Sequence, residues 1–207
     1  MELRSKLAVI AAALRRKRHR IWAVVGIVVV FLILAGFQIF RIYRENSHDK
    51  SILAAAQRYG VDPTLIKAVV WRESRFDPRA HGRAGEIGLM QIRDEAAKEW
   101  AKAEGIEFFS HQHLYDPAKN LMAGTWYLRK LLRRYPRADN PVVYALADYN
   151  AGRTRVLQWN KGAAVTNSAV FLKQMDYPGT RSYIAAVLKR QQHYRQTWKL
   201  ANTLETR

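Results

Sequence analysis

The sequence predicts a mainly α-helical domain, residues 51–207, preceded by a single N-terminal transmembrane helix. Three observations carry this expectation. The run from Ile21 to Phe40 is uncharged, lies between Arg20 and Arg41, and is interrupted only by Gln38. Downstream, one helix-start device recurs at Asp62-Pro63, Asp116-Pro117 and Asn140-Pro141: a side chain able to cap the first turn, then a proline where the missing N–H costs nothing. Finally, no apolar–polar alternation of strand length and no internal repeat is present, so period-2 structure has little to build on.

Taken in order, residues 1–20 form a basic tail holding Arg4, Lys6, Arg15, Arg16, Lys17, Arg18 and Arg20. Residues 21–40, as a helix, would extend about 30 Å, the thickness of the bilayer's hydrocarbon core. After them come only Arg41, Arg44 and Lys50, within a polar linker at 41–50. The denser basic cluster stays in the cytoplasm, so the following domain is exported. A cleaved signal peptide would have an apolar region of roughly 7–15 residues ending in small residues. Here the run is longer and closes on Phe37-Gln38-Ile39-Phe40. The expectation is an uncleaved anchor in the inner membrane, crossing once.

The domain opens with Ile52, Leu53, Ala56 and Tyr59 at helical spacing, stopped by Gly60. Asp62-Pro63 starts the next helix, through Ile66, Val69 and Val70. Residues 75–93 contain Pro78, Gly82, Gly85 and Gly88 without helical periodicity, and predict an irregular, β-like excursion. Asp94 is the expected cap of a helix running to Gly105. Behind Asp116-Pro117, Leu121, Thr125, Leu128 and Leu132 share one face, and Pro136 ends that helix. Behind Asn140-Pro141, Val142, Ala145, Leu146 and Tyr149 face inward until Asn150-Ala151-Gly152. Residues 160–168 predict a flexible loop, and a last helix starts near Arg181 with Tyr183, Ile184, Val187 and Leu188.

Composition narrows the chemistry. The chain has no cysteine, which removes disulfides, thiolate catalysis, cysteine-ligated zinc and a lipid anchor on cysteine. Residues 51–207 hold 25 Lys or Arg against 14 Asp or Glu, a net of +11. Such a domain attracts polyanions, and export points to an anionic envelope polymer or the membrane surface rather than nucleic acid. The histidines show no metal-ligand spacing beyond the pair His111 and His113, and no phosphate-binding glycine loop is present. No cofactor or metal is expected.

Glu73 stands apart. It follows Ile66, Val69 and Val70 at helical spacing and so falls on an apolar stripe. It also lies near a helix C-terminus, whose partial negative charge disfavours a carboxylate. Desolvation and the dipole both push its pKa upward, as a general acid at neutral pH requires.

Glu73-Ser74, Gly88-Leu89-Met90-Gln91, Tyr149-Asn150-Ala151-Gly152 and Thr180-Arg181-x-Tyr183 occur in this order, supported by Asp116-Pro117, Asn120, Gly124 and Tyr127-Leu128. In this ordered set the chain resembles the goose-lysozyme-like soluble lytic transglycosylases, over about residues 52–198. The resemblance implies a lysozyme-like fold and cleavage of peptidoglycan between N-acetylmuramic acid and N-acetylglucosamine, ending in a 1,6-anhydromuramoyl product. It implies Glu73 as the single catalytic acid and base. Ser74, Met90, Gln91, Tyr149, Asn150 and Tyr183 are then the substrate-binding set: Gln91 and Asn150 as amides that read N-acetyl groups, Met90 as pocket lining, and Tyr149 and Tyr183 as hydroxyls that orient Glu73. The implied partners are peptidoglycan strands, the inner membrane through residues 21–40, and envelope or division machinery.

The sequence departs from that family twice. Gly179 stands where glutamate is more usual, and Asp148 where alanine is more usual. Asp148 lies beside the inward stripe of its helix and reads as a solvated residue. Were it near Glu73, a second carboxylate could activate water and make the protein a hydrolytic muramidase. A murein-binding scaffold without activity is the further alternative, opposed by the retention of Glu73. Glu86 reads as a cleft-rim residue, and Asp77 as part of a turn before Pro78.

Overall fold

In the computed structural model the backbone is described for residues 2–205 and the side chains for residues 22–198. The side chains of the basic tail at 1–20 lie outside the described residues. The chain divides into two units, Met1–Asn46 and Ser47–Arg207. The first is a single helix, α1 (Glu2–Asn46). Its apolar window is long enough to cross a membrane, and none of that window is buried.

The second unit is built from α2 (Asp49–Tyr59), α3 (Pro63–Ser74), α4 (Asp94–Ala103), α5 (Pro117–Arg133), α6 (Pro141–Ala151), α7 (Arg153–Trp159), α8 (Ser168–Gln174) and α9 (Pro178–Glu205). Among the described residues there is no strand, only the isolated antiparallel bridges His81–Ile87 and Ile87–Ile92 inside the 75–93 excursion. The α9 helix lies along α3, and α5 is sandwiched by α2, α4 and α6. Ile52, Ile66, Val69, Leu89, Leu121, Leu128, Leu146, Phe171 and Val187 meet in one core. Full burial of each such side chain contributes about 1.5–3 kcal/mol.

The expected helix starts hold at Asp62, whose Oδ1 accepts from the Thr64 amide at 2.8 Å, and at Asp116, which accepts from the Lys119 amide at 2.8 Å. Gly60 adopts φ +64° and closes α2 as a left-handed cap. Asp94 is instead the first residue of α4, with Arg93 preceding it, and Asn140 makes no side-chain cap. Leu53 is 42% exposed although Ile52, Ala56 and Tyr59 are buried.

The expected flexible loop at 160–168 is an ordered connection. A 3₁₀ turn spans Gly162–Val165, its Ala164 is buried, and Tyr144 donates to the Ala164 carbonyl at 2.7 Å. One long-range hydrogen bond to a buried tyrosine fixes a segment whose composition alone reads as loose. Two short helices, α7 and α8, flank it, and α9 begins at Pro178, a turn earlier than expected.

Candidate active site

The site is organised by the end of α3. Arg75 and Phe76 adopt φ of 53° and 63°, a left-handed conformation uncommon for a non-glycine residue and strained for a bulky one. Burial of the Phe76 ring holds this turn in place. The chain leaves the helix abruptly, and Glu73 remains at the C-terminal end. Tyr183, from α9, donates its hydroxyl to Glu73 Oε1 at 2.5 Å.

Burial is the largest influence on Glu73 and pushes its carboxyl up to about 7; the Tyr183 hydroxyl and the Arg72 charge oppose this, and Glu86 reinforces it. The sequence expectation of a raised value therefore holds. The hydroxyls of Tyr149 and Tyr183 are also pushed upward by burial, then by the Glu73 charge. Both remain protonated donors at neutral pH.

The opposite wall comes from the 75–93 excursion, folded back by a hydrogen bond from the Gly82 amide to the Glu86 carbonyl at 2.7 Å. Asn120 of α5 pins its far end. It accepts from the Met90 amide at 2.8 Å and donates to the Ile87 and Leu114 carbonyls, each at 2.9 Å. Gly88, at φ +77°, passes so close that a Cβ there would sit 2.6 Å from the Leu114 carbonyl. Gly124 makes room on α5 for Met90, where an added Cβ would lie 2.7 Å from the Met90 Cβ.

Between these walls lies a cavity of about 360 Å³, bordered by Glu73, Glu86, Gln91, Arg93, Tyr127, Asp148, Tyr149, Asn150 and Gly152. Of the sequence-predicted set, Glu73, Gln91, Tyr149 and Asn150 border it directly. Gln91 sits at φ +48° and donates its amide to the Ala80 and Gly88 carbonyls, leaving its oxygen available. Asn150 accepts from Thr180 Oγ1 at 2.9 Å, which commits its side-chain oxygen and not its NH₂. Tyr183 is 1% exposed and reaches the site through Glu73.

Three expectations are modified. Tyr149 donates to the Met90 carbonyl at 2.6 Å rather than to Glu73, so Tyr183 alone of the two tyrosines holds the carboxyl. Ser74 and Met90 are buried and do not border the cavity: Ser74 donates to the Leu89 carbonyl at 2.8 Å, and Met90 packs against Gly124. Asp148 is not solvated. It is 1% exposed and accepts from Arg134 at 2.5 Å and Tyr135 at 2.6 Å. A single inward stripe presumes one packing partner, whereas α6 is buried continuously from Val143 to Asp148.

Arg93 and Arg134 lacked any motif signal, and Tyr127 appeared only as a supporting match with no site role assigned. Arg93 donates to Glu86 at the rim through Nε at 2.9 Å, and Tyr127 packs on Tyr149 with ring centroids 5.6 Å apart. His111 contacts the Ile92 carbonyl and His113 accepts from the Ser110 amide, so both serve local structure. Among the described residues no group of three His, Cys, Asp or Glu converges as a metal site.

Comparison with known proteins places these features in context. Residues 50–171 match the family described as "Transglycosylase SLT domain". The chain is 39% identical over 121 residues to membrane-bound lytic murein transglycosylase C of Klebsiella pneumoniae, covering 56% of this chain and 34% of that protein. It is 37% identical over 116 residues to membrane-bound lytic murein transglycosylase F of Desulfosudis oleivorans, covering 54% and 24%. Among solved structures, an inactive mutant of the lytic transglycosylase Slt from Pseudomonas aeruginosa superposes with a TM-score of 0.66 at 30% identity, over 74% of this chain and 25% of that one. The 70 kDa soluble lytic transglycosylase of Escherichia coli gives 0.61 at 27% identity, over 70% and 24%. The chain thus spans a quarter to a third of the length of these relatives.

Proposed function

The chain belongs to the transglycosylase SLT domain family, and from that premise we propose that it is a peptidoglycan lytic transglycosylase with Glu73 as its single acid and base. One observation carries the assignment: a carboxyl raised to about 7, in a cleft, held by a hydroxyl from a distant helix.

In the first step protonated Glu73 donates to the glycosidic oxygen between N-acetylmuramic acid and N-acetylglucosamine. The C1–O bond breaks and positive charge develops at the muramoyl C1. In the second step ionised Glu73 takes the proton from that sugar's 6-hydroxyl, whose oxygen closes onto C1. Ordinary glycosidases need a second carboxylate as nucleophile or water-activating base. An internal hydroxyl removes that need and gains the advantage of an intramolecular reaction. Tyr183 stabilises the carboxylate formed in the first step through its donated hydrogen bond, and the proton taken from the 6-hydroxyl in the second step restores the acid form that burial favours. Asn150 and Gln91 offer an amide donor and an amide acceptor toward acetamido groups. Ser74 and Met90 act from the second layer as supports of the wall formed by residues 88–91.

We also propose that residues 21–40 anchor the protein once in a bacterial inner membrane, with the N-terminus cytoplasmic and the SLT domain facing peptidoglycan. The uniformly exposed apolar surface of α1 and the basic cluster before it support this.

The test is mass spectrometry of muropeptides released from purified sacculi by the detergent-solubilised full chain, beside Glu73→Gln. Anhydro-muropeptides that vanish with the variant are the expected result. Reducing-end products would make the protein a hydrolase. No release by either protein, with sacculus binding intact, would make it a murein-binding scaffold.

A further inference from the structure

The acid–base role of Glu73 leaves a second carboxylate of the same cleft unused. Resting on the transglycosylase reading, we propose that Asp148 is a specificity-determining residue, a fixed acceptor that takes the acetamido N–H of an N-acetylhexosamine bound beside Glu73.

Asp148 borders the cavity together with Glu73, Tyr149 and Asn150, yet it is only 1% exposed. A carboxylate so enclosed needs a cation and hydrogen-bond donors around it. Arg134 supplies the charge at 2.5 Å and Tyr135 a hydroxyl at 2.6 Å, both at Oδ2. Tyr135 in turn accepts from Arg153 at 2.9 Å, so its own proton is directed at Asp148. An ionised carboxylate has about four acceptor sites and no donor. With Oδ2 committed to the segment just after α5, Oδ1 is the oxygen left to a ligand, and it can only accept.

The neighbouring residue that borders the same cavity has the opposite character. Thr180 donates to the Asn150 side-chain oxygen at 2.9 Å, so Asn150 presents its NH₂. One fixed acceptor and one fixed donor thus border the same cavity at the end of α6; residues two apart on a helix do not share a face, so Asp148 and Asn150 meet different groups of the sugar chain. A site whose buried acceptor must be paired discriminates strongly against a ligand lacking the donor.

The test uses the full chain in detergent carrying Glu73→Gln, with calorimetric titration of the tetramer of β-1,4-linked N-acetylglucosamine. Asp148→Asn is added on that background. Because Arg134 and Tyr135 both donate, they select the asparagine oxygen and turn its NH₂ toward the cleft, so an acceptor becomes a donor. The expected result is a Kd raised at least tenfold with the melting temperature kept. Tyr135→Phe on the same background removes one donor from Oδ2 without touching the cleft, and is expected to leave Kd within about threefold. Unchanged binding by Asp148→Asn overturns the proposal, as does equal weakening by Tyr135→Phe, which would mark a purely structural network. If Asp148→Asn does not fold, Asp148→Leu with Arg134→Leu removes both charges together and is read the same way. Absence of tetramer binding by the Glu73→Gln parent would overturn the transglycosylase reading itself, and this proposal with it.

Discussion

Tyr183 donates to Glu73 Oε1 at 2.5 Å across 110 residues of sequence, and this bond favours the ionised carboxyl while burial favours the neutral one. On the proposed mechanism the two effects act on opposite halves of the cycle. Tyr183→Phe removes the one that favours the anion. The basic limb of the kcat/KM profile, expected near pH 7 for the parent, should move upward. Activity below that limb should fall about tenfold to a hundredfold, the loss of one hydrogen bond to a charged group. Muropeptide release from sacculi between pH 5 and 9 measures both.

Glu86 acts on Glu73 in the opposite direction. Its charge raises the Glu73 carboxyl, and its own is held below the usual range, where burial is outweighed by backbone hydrogen bonds and Arg93. Glu86→Gln should therefore move the basic limb downward. Opposite displacements by Tyr183→Phe and Glu86→Gln are the expected pattern, and equal displacements in one direction would remove Glu73 as the titrating acid.

The raised value has a stability consequence. A buried acid at about 7 in the folded chain and near 4.3 when unfolded binds more protons folded than unfolded between those values. Stability is then lost as pH rises through that window. Glu73→Gln carries no such penalty. Its melting temperature should exceed that of the parent at pH 8, and the gap should close toward pH 4. A pH-independent gap would mean that Glu73 is solvated.

Gly124→Ala improves intrinsic helix propensity by about 1 kcal/mol yet places a methyl against Met90 in the core. Overpacking of this kind costs about 1–3 kcal/mol or more, so the net expectation is loss of stability. Because Met90 also accepts from Tyr149 at its carbonyl, activity should fall further than stability alone accounts for. Thermal melts and sacculus digestion of the same variant separate the two.

The apolar run at 21–40, the proline-marked helix starts and the anomalous place of Glu73 were legible in the sequence because each is a local matter. Periodicity, capping and composition act within a few residues. The irregular excursion at 75–93 was legible for the same reason, through its glycines. Tertiary structure decided what depends on distant partners. It chose Tyr183 over Tyr149 as the group that touches Glu73, because the Tyr149 hydroxyl meets the Met90 carbonyl first. It withdrew Ser74 and Met90 behind the wall that they support. It ordered 160–168 through Tyr144. It turned Asp148 from a solvated residue into a buried one, because the segment just after α5 supplies Arg134 and Tyr135 on a side of α6 that a single stripe leaves to solvent. Helical phase gives the direction in which a side chain points; what waits there is set by packing between helices far apart in the chain.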